Sequence, residues 1–147
     1  MMTIARLKEI LGLLVEESDV ASSFITGVAD EDITAKLDRL KLGDYPVLVG
    51  IVPSLIGNGR NMDQLQHTIP MFIYCIESIG NYTENEIDER WDNLLQGVIL
   101  IENSIKEHES DPDWEEFIAI APESIHIDPE FGMWGCFGWS ISFDIVN

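Results

Sequence analysis

The sequence predicts an α+β fold: an antiparallel sheet of about four strands with two main helices packed on one face, in the order α-β-β-α-β-β. Three observations predict it. Two segments, near Thr3–Glu17 and Glu84–His108, repeat their apolar residues at the helical period. The closing segment from Gly135 alternates apolar and polar residues at period two. The apolar runs Tyr45–Val52 and Thr68–Ile79 follow one another with no helical pattern between them, so strands group as hairpins and helices form a separate layer. A length of 147 residues suits one domain, and no repeat, low-complexity tract or linker divides residues 1–147.

The first helix follows from Ile4, Leu7, Leu11, Leu14 and Val15, separated by charged residues and preceded by Thr3 as a capping residue. Ser22, Ser23, Thr26 and Gly27 read as loop. Asp30–Leu40 reads as a short helix burying Ile33, Leu37 and Leu40, with an acidic start and basic end that suit the helix dipole. Tyr45–Val52 is a strand with little polar relief on either face, bounded by Gly43-Asp44 and Pro53. Its partner, Thr68–Ile79, carries Pro70, which belongs near a strand start, at a bulge or on an edge. The segment between them, Ser54–His67, reads as an unusually long hairpin tip centred on Gly57–Asn61, and tips of that length carry function or are disordered.

The long helix is the clearest element. Ile87, Trp91, Leu94, Leu95, Val98, Ile101 and Ile105 share one face, and Thr83 with Glu86 forms a capping box. Asp111-Pro112-Asp113 ends it. Ile118 and Ile120, then Ile125 and Ile127, alternate, and Asp128–Gly132 reads as a turn. In the last strand Phe137, Trp139, Ile141, Phe143 and Ile145 face a core, while Gly138, Ser140, Ser142 and Asp144 face water or a partner. Trp91 and Trp139 belong to buried faces, whereas Trp114 and Trp134, flanked by turns, are expected to be partly exposed.

The hydrophobic share of 46% and charged share of 24% are ordinary, so the anomaly is the sign of the charge. Eight Lys and Arg against 27 Asp and Glu give −19. That argues against sequence-specific nucleic-acid binding, which needs a basic stripe, and against binding an anionic membrane. No segment reaches the 18 or more apolar residues of a membrane span, and Met1–Glu17 does not read as a targeting signal. Twelve acids between Asn81 and Glu116 stand against Arg90 and Lys106, and Glu84, Glu86, Asp88, Glu89, Asp92, Glu107 and Glu109 are the expected acidic surface. Such a face keeps a protein soluble without any partner, or repels polyanions, or recruits a basic partner.

Chemistry is sparse. Of three histidines, His108 suits a helix C-terminus as a cation. His126 and Asp128 share a strand face, but Pro129 breaks the register and no second ligand cluster accompanies them, so an exposed polar turn is expected and no metal. No nucleophile elbow appears, and Gly57-Asn58-Gly59-Arg60 lacks the Lys and Ser/Thr of a phosphate loop. Cys75 and Cys136 read as buried reduced thiols, with a disulfide as the other option. The expectation is therefore no enzyme, no catalytic residues and no cofactor. Apolar and cationic groups on the long tip, Leu55, Ile56, Asn58, Arg60 and Met62, are the expected partner contacts.

The element order resembles that of the small tail-terminator and tail-completion (head–tail joining) proteins of tailed bacteriophages and prophages. Its carriers are a leading helix, an apolar strand from Tyr45-Pro46-Val47-Leu48-Val49 to Pro53, and a Gly/Asn tip. A second strand over Ile69–Ile79, a Trp-bearing helix and the closing Gly138-Trp139-Ser140-Ile141-Ser142-Phe143-Asp144-Ile145 complete it. The resemblance covers most of the chain from Tyr45 onward. It implies a helix-backed antiparallel sheet whose copies close into a ring, a hexamer being the reference case, at the end of the tail tube. The partners it implies are the chain itself and tail-tube or head-connector proteins, in the cytoplasm during assembly and then in the virion. The competing expectation is a monomeric acidic binding protein, a polyanion mimic or an inhibitor of a nucleic-acid enzyme. An inhibitor would keep its strand edges protected, whereas a ring subunit needs complementary edges.

Overall fold

The computed structural model describes the backbone of residues 3–53, 56–58, 66–108, 111–115 and 120–146. Among the described residues three α-helices, α1 (Ile4–Ser18), α2 (Asp30–Leu37) and α3 (Glu84–Glu107), accompany six strands. The strands are β1 (Ser23–Gly27), β2 (Val47–Ile51), β3 (Ile56–Asn58), β4 (Gln66–Ser78), β5 (His126–Phe131) and β6 (Cys136–Val146). The sheet runs β1-β2-β4-β6-β5, with β3 pairing β4 off that path. The fold class is α+β as expected, but the sheet is mixed rather than antiparallel, and the order is α-β-α-β-β-β-α-β-β.

The first correction lies in β1. Ser23–Gly27 is not a loop: Phe24, Ile25 and Thr26 sit in a strand parallel to β2, with Ser23 opposite Val47 and Gly27 opposite Ile51, and only Ser22 stays outside it. Antiparallel neighbours need only a turn, whereas parallel neighbours need a crossover, and α2 supplies it by carrying the chain back to the start of β2. Flanking serines and glycine hide the strand in the sequence. The second correction is in β5. Asp128–Phe131 continue a strand rather than turn, pairing Asp128 with Ser140 and Phe131 with Phe137, and Pro129 is accommodated because β5 is an edge.

The remaining elements follow the sequence closely. Thr3 caps α1, its hydroxyl accepting the Arg6 amide at 3.0 Å. Thr83 and Glu86 form the reciprocal capping box of α3. β3 pairs Ile56 with Thr68 and Asn58 with Gln66, so the hairpin with β4 reaches further than the expected structureless tip over 54–67. Pro70 lies in β4 between the stretch paired with β2 and the stretch paired with β3, where its missing N–H costs no ladder bond on that side.

Two cores lie on opposite faces of the sheet. Alternate residues of β4 (Ile69, Met71, Ile73, Cys75) and β6 (Phe137, Ile141, Phe143, Ile145) pack with Leu7, Ile10, Leu11 and Leu14 of α1 and Leu94, Val98, Ile101 and Ile105 of α3. Burying a side chain such as Phe137 or Phe143, both essentially inaccessible, stabilises by about 1.5–3 kcal/mol. The expected pair of helices on one face is therefore present. On the other face α2 adds a third layer, packing Ile33 and Leu37 against Val47, Val49, Ile76 and Cys136. Cys75 and Cys136 are free, buried and in different cores, and burial pushes their thiols up to about 12 and about 11.

Gly138 is the tightest point of the sheet. A Cβ there would lie 2.1 Å from the Cys75 carbonyl oxygen, so only glycine lets β6 approach β4 at that pair. The same residue's carbonyl accepts the indole N–H of Trp91 at 2.8 Å, and the Trp139 indole donates to the Trp91 carbonyl at 2.8 Å. This reciprocal pair, with Phe131 stacked 5.5 Å from Trp91, clamps α3 onto β5 and β6.

Candidate functional site

Three places gather polar or exposed groups that a function would use. The first is the base of α3. Arg90 donates to both carboxylate oxygens of Glu77, at 2.8 and 2.6 Å, and the Tyr82 hydroxyl donates to Glu77 at 3.0 Å. Glu77 is 1% exposed and lies on the core face of β4. The fork matches the carboxylate, and its hydrogen bonds push the Arg90 pKa upward. Burial and the Glu77 charge raise the Tyr82 phenol. With every group satisfied internally, this is a structural tie. A lone Glu in an apolar strand gives no hint of it, because its partner is 13 residues away on another element.

The second place joins the ends of α1 and α3. The Glu17 carboxylate accepts from His108 Nε2 and from the Ser104 hydroxyl, each at 2.7 Å, while His108 Nδ1 lies 3.2 Å from Asp111. Trp114 stacks on the imidazole at a centroid distance of 4.0 Å. Burial pulls the His108 pKa down, but the bonds to Glu17 and Asp111 outweigh it and leave the pKa raised. The groups do not form a nucleophilic triad, since Ser104 donates to Glu17 rather than to His108 and both ring nitrogens face carboxylates. His108 sits at the C-cap of α3, the helix end the sequence suggests, and also bridges Glu17 and Asp111, which the sequence does not suggest. Trp114 corrects the expectation of partial exposure: it is 3% exposed, packed into the core between the sheet and its two long helices with the His108 imidazole stacked on its ring. Trp134 is half-buried as expected, its indole donating to Asp30 at 3.2 Å and its ring edge-on to Tyr74.

The third place is the half of the second sheet face that α2 does not cover. There β4 presents Thr68, Pro70 and Phe72, β6 presents Ser142 and Asp144, and β5 presents His126, Asp128 and Glu130. The register sets Phe72 beside Ser142 and Ser142 beside His126. Phe72 is 40% exposed in the middle of a 13-residue strand. Glu130 accepts from the Ser140 hydroxyl at 3.0 Å and is held flat against the face. His126, Asp128 and Glu130 do not converge, and among the described residues no group of three or more His, Cys, Asp or Glu is placed to hold a metal ion.

Both outer edges of the sheet are blunted. Lys36 Nζ donates to the outward Thr26 carbonyl of β1 at 2.5 Å, and β5 carries Pro129 among exposed charged residues. The edges of β1 and β5 are therefore protected, while β3 pairs only β4 among the described residues. Of the expected contact residues, Ile56 and Asn58 lie in β3, while Leu55, Arg60 and Met62 lie outside the described residues. Of the expected acidic surface, Glu84, Glu86, Asp88, Glu89, Asp92 and Glu107 are exposed on α3, and Glu109 lies outside the described residues. No helix among the described residues is long and apolar enough to cross a membrane. Compared with known proteins, the chain matches no family model and no curated sequence.

Proposed function

We propose that the protein is a structural assembly subunit of the tail-terminator or tail-completion type that its element order resembles. It works by docking to copies of itself and to tail-tube or head-connector proteins, and transforms no substrate. The observation that carries this reading is Phe72, 40% exposed on the part of the second sheet face that α2 does not cover among the described residues. A large apolar side chain there, in a chain rich in exposed charge, supports reading that face as a contact surface. The protected edges of β1 and β5 favour docking through faces over strand-to-strand pairing across subunits.

The same blunted edges favour a second reading, the monomeric acidic binding protein that mimics a polyanion or inhibits a nucleic-acid enzyme. Sedimentation velocity of the full chain over a concentration series separates the two. Under the assembly reading a ring species grows with concentration, and Phe72→Asp abolishes it while the circular dichroism spectrum is retained. A monomer at every concentration that inhibits a nuclease on duplex DNA replaces the first reading with the second.

A further inference from the structure

Among the described residues, α3 carries a surface feature that neither its capping nor its core packing uses. Asn93, Gln96, Leu100, Asn103 and Glu107 form one exposed stripe at intervals of three and four residues. Leu100 is 51% exposed and its neighbour Ile99 38%. Two open hollows flank Leu100 and share it as a wall. One, of about 320 Å³, lies over Val20, Pro46, Leu94 and Gly97. The other, of about 420 Å³, lies over Glu17, Ser104 and His108. The first exists because Gly97 lets the Val20 loop close on the helix: a Cβ at position 97 would lie 2.3 Å from a Val20 methyl.

The hollows differ in chemistry. The first is floored by Val20, Pro46 and Leu94, with Asn93, Gln96 and Arg90, the last bound to Glu77, also lining it. The second is rimmed by Glu17 and Glu107, of which Glu107 makes no ion pair among the described residues. Roughly ten residues of α3 separate their centres, about 15 Å of helical rise, which three turns of a partner helix laid alongside span. A second copy presenting this same face fits poorly, since it would set Glu17 and Glu107 against their own counterparts. We propose that this groove docks a basic amphipathic helix of a partner protein. Apolar side chains enter the Val20 hollow and straddle Leu100, and a Lys or Arg at the far end meets Glu107, since Glu17 is already bonded to His108 and Ser104. This surface is separate from the Phe72 face and does not depend on the assembly reading.

The test uses the full chain and a synthetic helix-forming peptide of about five turns with Leu on one face and Lys on its flanks, read by fluorescence anisotropy at ~150 mM salt. A second peptide with Glu in place of Lys is the control. The basic peptide is expected to bind and the acidic one not to. Leu100→Ser is expected to weaken binding about tenfold, and Glu107→Lys several-fold, with helical circular dichroism retained. Asp38→Lys, the same charge change beside α2 on the other sheet face, leaves binding unchanged. Absence of binding, equal binding of the acidic peptide, or no effect of Leu100→Ser overturns the proposal, as does an Asp38→Lys loss equal to that of Glu107→Lys. Phe72→Asp serves as the separating control: it abolishes assembly under the preceding reading and leaves peptide binding intact.

Discussion

Two ionic groups decide local stability, and they respond differently to substitution. Glu77 is buried and Arg90 is not, its side chain being 38% exposed. Removing Arg90 strands a carboxylate in the core, while removing the carboxylate frees an arginine that reaches water. Arg90→Met is therefore expected to cost about 3 kcal/mol and Glu77→Gln clearly less, both measured by urea denaturation. Equal costs would show that the pair is solvated in the native state. His108 gives a pH signature. Its folded pKa is raised, so its contribution is complete below the unfolded value near 6.5 and is lost as pH rises through the folded value. The Glu17 pKa is lowered: burial raises it, and the bonds from His108 and Ser104 outweigh that. Its contribution is present above about 4.5 and is lost as pH falls through its folded value. The stability gap between wild type and His108→Gln should be widest between about pH 4.5 and 6.5, on the order of 1 kcal/mol, and narrow by pH 9. A gap independent of pH would mean that stacking on Trp114, not charge, holds the imidazole.

At the scale of elements, local signals were legible where one segment carried its own pattern. The α3 stripe and capping box, the Thr3 cap, and the alternation of β6 all form over nearly the residues their periodicity marks. What escaped is what needs a distant partner. β1 is five residues long, and its identity depends on β2 accepting it in parallel after α2. β5 contains a proline that argues against a strand until its edge position is known. The exposed residues split likewise: charge placed the acidic face of α3 in the sequence, whereas Phe72 is one residue within an apolar run. Only the alternation of β4, with Met71 and Ile73 inward, turns Phe72 to the open face.

For the whole molecule, a net charge of −19 opposes the association of copies. Under the ring reading, six copies carry roughly −114, and that self-repulsion must be screened or neutralised before faces can dock. Assembly is expected to strengthen as sodium or magnesium salt is added, the divalent salt acting at lower concentration, in a sedimentation series. Assembly that weakens with added cations would place the attraction in electrostatics rather than in the apolar face. Along a bore, the exposed acids of α3 would repel DNA over a Debye length of about 8 Å, and beside the Leu100 groove they would favour a basic partner.

The order of amino acids was enough to specify the class of the fold, the two long elements with their caps, the inward face of the last strand, the burial of both cysteines and the acidic field. Each of these depends on neighbours along the chain or on composition, for which pattern is sufficient. Folding in three dimensions was needed for the parallel strand, the α2 layer on the second face, the burial of Trp114, the Glu77–Arg90 and Glu17–His108 ties, and the choice of which apolar residues stay exposed. These arise from pairings between segments far apart in sequence, where closeness is set by packing and the order of crossings and leaves no periodic trace in either segment.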